Sequence, residues 1–176
     1  TIRVPHSIPQ AVSFFIKTKS ENIFHTGDWK FETAKNLNEK SHTSVLKKVS
    51  QDGVTSIISD STNALVEGRT PPENIAYEGL LGVISKKKGC IFITCFSSNI
   101  SRIKSLVTIA EEVNRKICIL GRALNRSVDA AIETGLLPKS FEFLSVKNIK
   151  NFDRTKLLVI CAGSQGEPNS ALSRIS

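Results

Sequence analysis

From Pro71 onward, short apolar runs alternate with longer segments whose apolar residues recur at helical spacing. No other feature restricts the fold as much. The runs CIFITC (90–95), ICIL (117–120) and KLLVIC (156–161) have the length and β-branched content of strands buried on both faces. PENIAYEGLLGVISKKK, ISRIKSLVTIAEEVNRK and ALNRSVDAAIETG read as helices; in the second, Ile100, Ile103, Val107, Ile109, Ala110 and Val113 fall broadly on one face. Strands and helices in this order predict an α/β region, a mostly parallel sheet flanked by helices. LLPKSFEFLSVKNIKNF has no clear period, and a last helix is expected to start at NSALSRIS.

The first part reads differently. AVSFFIKTKSENIF predicts two strands joined at the polar KTKSEN, and the stretch 34–42 (AKNLNEKSH) is loop-like. TSVLKKVSQD spaces Val45, Leu46 and Val49 as a helix does, with Gly53 as its stop. VTSIIS (54–59) is expected to be a buried strand, and ALVEGRTPP a linker whose Pro pair opens the next helix. The expected division is therefore residues 1–66, a β-rich region, and residues 67–176, the parallel α/β domain.

Composition excludes some classes. With 40% hydrophobic residues the chain is globular, and no stretch reaches the roughly 18 apolar residues of a bilayer span. No membrane association is expected. TIRVPHSIPQ lacks the features of a signal peptide, and the chain holds no Met, so it reads as an excised piece of a cytoplasmic protein. Cys90, Cys95, Cys118 and Cys161 lie in or beside apolar runs without C-x-x-C spacing, which predicts free buried thiols. The net charge is +8; residues 71–176 carry fifteen Lys and Arg against nine Asp and Glu, so most of the excess is there. That balance is compatible with a polyanionic partner.

Two groups of residues carry chemistry. His6, in VPHSIPQ, and Asp28, in HTGDWK, lie at the ends of the first strands, and imidazole with carboxylate suits zinc or manganese. Two donors are too few for a complete site. His25 and His42 read as ordinary residues. In parallel sheets, ligands meet the loops leaving the carboxyl ends of strands. SDSTN (59–63), CFSSN (95–99), LGR (120–122) and AGSQGEP (162–168) are read as four such loops, rich in hydroxyls, amides and glycines that can face phosphates. The same residues serve equally as turns and helix caps.

Taken in order, HSIP, HTGDWKF, SDSTNA, SSNI-x-R, GR and GSQGEP-x-x-ALSR resemble the bacterial ribonuclease J family, in the β-CASP branch of the metallo-β-lactamase superfamily. The match runs through essentially the whole chain. The resemblance implies a partial metallo-β-lactamase β-region followed by a β-CASP domain. It implies that His6 binds one of two catalytic zinc ions, that Asp28 bridges both, and that Asp60 stands near the metal cleft. Ser98, Asn99, Ser164 and Gln165 fall on cleft loops that hold single-stranded RNA, and Arg102 is expected to contact phosphate. Family members cut RNA internally or from a 5′-monophosphate end, and intact members are expected to be homo-oligomers.

The departures shape the expectation. The family's HxHxDH motif would precede Thr1, and further histidine motifs would follow Ser176. Gln10 stands where the family usually has Asp, which bears on the hydrogen bonding around His6. The chain is thus expected to be a central segment of a zinc-dependent ribonuclease, inactive alone. The alternative is a non-catalytic RNA-binding module; a dinucleotide-binding fold is disfavoured because G-x-G-x-x-G is absent after the first strand.

Overall fold

A computed structural model describes residues 1–30 and 42–175. They divide into two units, Thr1–Pro72 and Glu73–Ser176, so the division falls at the end of the Pro pair and not at residue 66. The loop expected over 34–42 lies, but for His42, outside the described residues.

Among the described residues, the first unit holds a four-stranded sheet in the order β1 (Ile2–Arg3), β2 (Val12–Lys17), β3 (Asn22–His25), β4 (Ser56–Ile58), with a helix, α1 (His42–Gln51), before β4. β2 and β3 are the two strands expected from AVSFFIKTKSENIF. They pair antiparallel with Phe15 opposite Phe24. The Thr18 hydroxyl closes their turn by accepting the Glu21 amide at 2.9 Å. β4 adds to β3 in parallel, with Phe24 opposite Ile57. Gly53 ends α1 as expected, with φ 76°.

The expectation of a buried strand at VTSIIS is corrected. Only Ser56–Ile58 is strand, and Ile57 remains 65% exposed. β4 is the outer strand of its sheet, and among the described residues nothing covers its side chains. The buried apolar residues of this unit are few: Ile2, Val4 and Phe24, with Trp29 edge-on to Phe24 at 6.1 Å.

The second unit holds α2 (Glu73–Ile84), β5 (Ile91–Thr94), α3 (Ile100–Glu112), β6 (Lys116–Leu120), α4 (Arg122–Glu133) and β7 (Leu157–Cys161). The sheet is parallel throughout, in the order β5-β7-β6, and every residue of central β7 is buried. The alternation read from the sequence is thus present strand for strand.

Alternation within the strands directs the packing. Ile117, Ile119, Leu158 and Ile160 meet Ile103, Leu106 and Ile109 of α3 and Leu124 and Val128 of α4 in one cluster, which also takes in Ile84 of α2. The opposite face, with Cys118, Leu157 and Val159, is covered by Leu144, Ile149 and Phe152. The helices therefore pack on one face, and the other is covered by the segment without clear period, part of which is a 3₁₀ turn, Val146–Asn151. The helix expected from NSALSRIS is one 3₁₀ turn, Leu172–Arg174.

Arg115 is a buried cation between α3 and β6. Its guanidinium donates to the carbonyls of Lys87 at 2.5 Å, Gly89 at 2.9 Å and Leu157 at 3.1 Å. It joins the entry to β5 to the start of β7, so a charge otherwise costly to bury satisfies three backbone acceptors. All four cysteines are free thiols; Cys95, Cys118 and Cys161 are buried and Cys90 is half-buried.

Candidate functional site

In the first unit, local backbone chemistry positions the two metal-type donors. The Ser13 hydroxyl donates to the Thr26 carbonyl at 2.5 Å. The Thr26 hydroxyl donates to the Gly27 carbonyl at 2.7 Å and accepts the Asp60 amide at 3.0 Å. Thr26 thus ties the HTGD loop to the SDSTN loop with a side chain that is fully buried. Gly27 has φ 60°, and a Cβ there would lie 2.8 Å from the Val12 carbonyl oxygen, so only glycine fits. His25 is more than an ordinary surface residue: its Nδ1 accepts the Gly27 amide at 3.0 Å and braces the same turn.

The Lys30 amide donates to the Pro5 carbonyl at 3.0 Å, drawing the Asp28 loop to the His6 loop. His6 Nε2 then lies 3.9 Å from Asp28 Oδ2. Both ring nitrogens of His6 are buried and neither has a hydrogen-bond partner. An unpaired buried nitrogen is costly, and one facing a carboxylate suits a cation. The donor set fits zinc in kind. Among the described residues no three His, Cys, Asp or Glu side chains converge, so the metal donors brought together are His6 and Asp28. Gln10 lies in an exposed turn with φ 63° and makes no bond to the His6 ring.

Asp60 is turned into its own loop, where Oδ1 accepts the Thr62 hydroxyl at 2.6 Å and the Thr62 amide at 2.9 Å. Those two bonds hold its carboxyl below the usual range, with a smaller contribution from nearby His6.

In the second unit the loops differ from expectation in which residues they present. SDSTN follows β4 and so belongs to the sheet of the first unit, while the remaining three loops follow strands of the second. Asn99 caps α3, its Oδ1 accepting the Arg102 amide at 3.0 Å, and Ser98 is exposed before it. Arg102, expected at a phosphate, is engaged within the unit: its Nε donates to Glu73 Oε1 at 2.6 Å and its Nη2 to Glu73 Oε2 at 3.2 Å. The fork is already filled by a carboxylate, which joins the first turns of α3 and α2. Ser164 and Gln165 sit on an exposed turn whose Gln165 amide donates to the Glu167 carboxylate at 3.1 Å.

A cleft in this unit has a volume of about 1020 Å³ and opens at the carboxyl ends of β6 and β7. Gly121, Arg122 and Arg126 line one side, Ala162, Ser170 and Arg174 the other. None of Ser98, Asn99, Arg102, Ser164 and Gln165 lines it. Arg126 and Arg174 were missed in the sequence. The available signals were an arginine four residues after the GR that opens α4, and the last residue of ALSR.

The chain thus joins, in sequence, a β-unit bearing a His–Asp pair and a parallel α/β domain with a cleft at the carboxyl edge of its sheet, and these define its class. The family model for Ribonuclease J, beta-CASP domain, matches residues 88–176, and the chain belongs to that family. It is 38% identical over 175 residues to a Ribonuclease J of Sinorhizobium meliloti, 34% to Ribonuclease J2 of Bacillus subtilis, and 33% over 174 residues to a Ribonuclease J of Thermus thermophilus. In each case 99% of this chain is covered but only 31%, 32% and 30% of the relative, so the chain spans about a third of their length. A solved protein of unknown function from Enterococcus faecalis shares the fold, with TM-score 0.62 and 13% identity over 94% of this chain and 41% of that one.

Proposed function

We propose that a protein carrying this chain hydrolyses the phosphodiester bonds of single-stranded RNA at a two-zinc centre, internally or from the 5′ end, and that the chain supplies part of that centre. The observation that carries the reading is the unpaired, buried His6 ring held 3.9 Å from the Asp28 carboxylate. When bound, a zinc pair supplies an acidified water and neutralises charge on the phosphate. His6 offers an imidazole nitrogen to one ion. Asp28, with two carboxylate oxygens and an exposed side chain, can serve both ions. Thr26 and Gly27 fix the loop that presents Asp28, and the Thr26 hydroxyl holds the Asp60 loop beside it. Among the described residues no third donor joins these two, so a complete centre needs ligands beyond them.

The test is RNA cleavage by the longer protein. Asp28→Ala should lower the rate more than about 100-fold, beyond the 10–100-fold typical of residues that only support a ligand. Gln10→Asp should change it little. Equal losses in two folded, metal-loaded variants would remove Asp28 from the centre. The alternative, a non-catalytic RNA-binding module, draws on the convergence of only two metal donors among the described residues. RNA retention without metal-dependent cleavage by the longer protein would favour it.

A further inference from the structure

We propose that His25 is a positioning residue for Asp28: its ring closes the turn that aims the carboxylate at the metal centre. This rests on the zinc reading above.

Little steadies Asp28 directly. Its side chain is 84% exposed, and among the described residues its partner is His6 at 3.9 Å, beyond hydrogen-bond length. The direction of the carboxylate is therefore set by the backbone that leads to it, through Thr26 and Gly27. Hydrogen bonds hold that backbone. The Thr26 amide donates to the Ile58 carbonyl at 2.9 Å, and the Thr26 carbonyl accepts the Ser13 hydroxyl at 2.5 Å. The Gly27 carbonyl accepts the Thr26 hydroxyl at 2.7 Å, and the Gly27 amide donates to His25 Nδ1 at 3.0 Å. The peptide joining Thr26 to Gly27 is thus held at its oxygen by Ser13 and at its N–H by His25. Gly27 has φ 60° and passes close to the Val12 carbonyl, so the turn has little room to settle elsewhere.

The bond from Gly27 back to His25 spans two residues, the pattern in which Asn and Asp side chains close turns. Nδ1 of histidine stands at the same branch of the side chain as Oδ1 of asparagine, so the ring supplies the acceptor that an amide would supply. As an acceptor Nδ1 carries no proton, and the neutral ring keeps its proton on Nε2. The strand gives the ring a firm base. His25 is the last residue of β3, with its backbone paired to Phe14 of β2 on one side and Ile58 of β4 on the other. The residue is exposed, so its contribution lies in this bond and not in core packing.

The bond itself is read on the 176-residue chain by nitrogen NMR. A coupling across the hydrogen bond should join the Gly27 amide nitrogen to His25 Nδ1, with the ring proton on Nε2. The consequence is read on the longer protein as zinc retained against a weak chelator, and as kcat and KM for RNA cleavage. The variants are His25→Phe, His25→Asn and Asp28→Ala. Phenylalanine keeps a ring and loses the acceptor; asparagine keeps the acceptor and loses the ring. Circular dichroism and thermal unfolding report that each variant is folded, and exposure of the site should leave the midpoints near the parent's.

His25→Phe should lower zinc affinity and kcat by about 10–100-fold, as loss of a group that orients a metal ligand does, with KM little changed. His25→Asn should recover most of both, a rescue that a merely structural role of the ring would not give. If Asp28→Ala loses zinc while His25→Phe keeps the parent's zinc and rate, the positioning role is wrong and the zinc reading stands. If Asp28→Ala keeps the parent's zinc and rate, the zinc reading fails and this proposal with it. Should His25→Phe not fold, His25→Asn decides: zinc and rate near the parent's support the role, and their loss in a folded variant overturns it. Absence of the coupling between Gly27 and His25 in the parent chain would overturn it as well.

Discussion

Arg102 and Arg122 carry the same charge in the first turns of α3 and α4, yet among the described residues only Arg102 is paired with a carboxylate. Arg102 is held in a two-pronged pair with Glu73, both side chains less than a third exposed. Arg102→Ala should therefore cost about 1–2 kcal/mol in chemical denaturation, toward the upper end for a pair of this geometry. It should leave the salt slope of RNA binding unchanged. A shallower slope with unaltered stability would return Arg102 to the phosphates. Asp60 gives a second residue-scale test. Its folded pKa lies below the unfolded value because Thr62 donates two bonds to the carboxylate. The resulting stabilisation is complete above the unfolded carboxylate value and disappears as pH falls through the folded one. Removing the hydroxyl with Thr62→Ala should raise the Asp60 pKa, read by NMR titration of its carboxyl carbon. An unmoved pKa would show that these bonds do not hold it down.

At the scale of elements, what the sequence declares is what local periodicity encodes. The three apolar runs of the second unit became parallel strands, and α3 buries Ile100, Ile103, Val107, Ile109 and Ala110 as their spacing requires. VTSIIS misled because an apolar run is the same string at a sheet's edge as at its centre; its neighbours decide, and β4 has one. NSALSRIS misled because left-handed Asn169 and the return of the Leu172 amide to the Ala162 carbonyl at 3.1 Å hold it as a turn. His6 and Asp28 were legible through family strings. Arg126 and Arg174 were not, since an exposed arginine on a helix looks like any solvated charge until the cleft is seen. Gly163 makes the turn testable. It has φ 125°, and a Cβ would meet Ser170 Oγ at 2.6 Å and Leu172 Cβ at 2.7 Å. Gly163→Ala should destabilise the chain by more than about 1 kcal/mol, measured by thermal unfolding. An unchanged midpoint would contradict the packing. The cysteines test the sheet. Burial raises all four thiols, Cys95 to about 11, so thiolate is scarce at neutral pH. A bulky thiol reagent should label half-buried Cys90 first and the others only on unfolding. Rapid labelling of all four would mean the sheet is open.

Across the whole molecule the two units carry separate chemistry: the His6–Asp28 pair lies in Thr1–Pro72 and the arginine-lined cleft in Glu73–Ser176. With His6 and Asp28 the metal donors that converge among the described residues, the 176-residue chain is expected not to hold a catalytic zinc pair by itself. The direct measurement is zinc per chain by elemental analysis after dialysis against a weak chelator. It is made on the longer protein, on its His6→Ala variant and on the 176-residue chain. The expected result is about two zinc ions in the longer protein, a loss of at least one in His6→Ala, and almost none in the short chain. Full zinc in the His6→Ala variant, or a stoichiometric pair in the short chain, would contradict it.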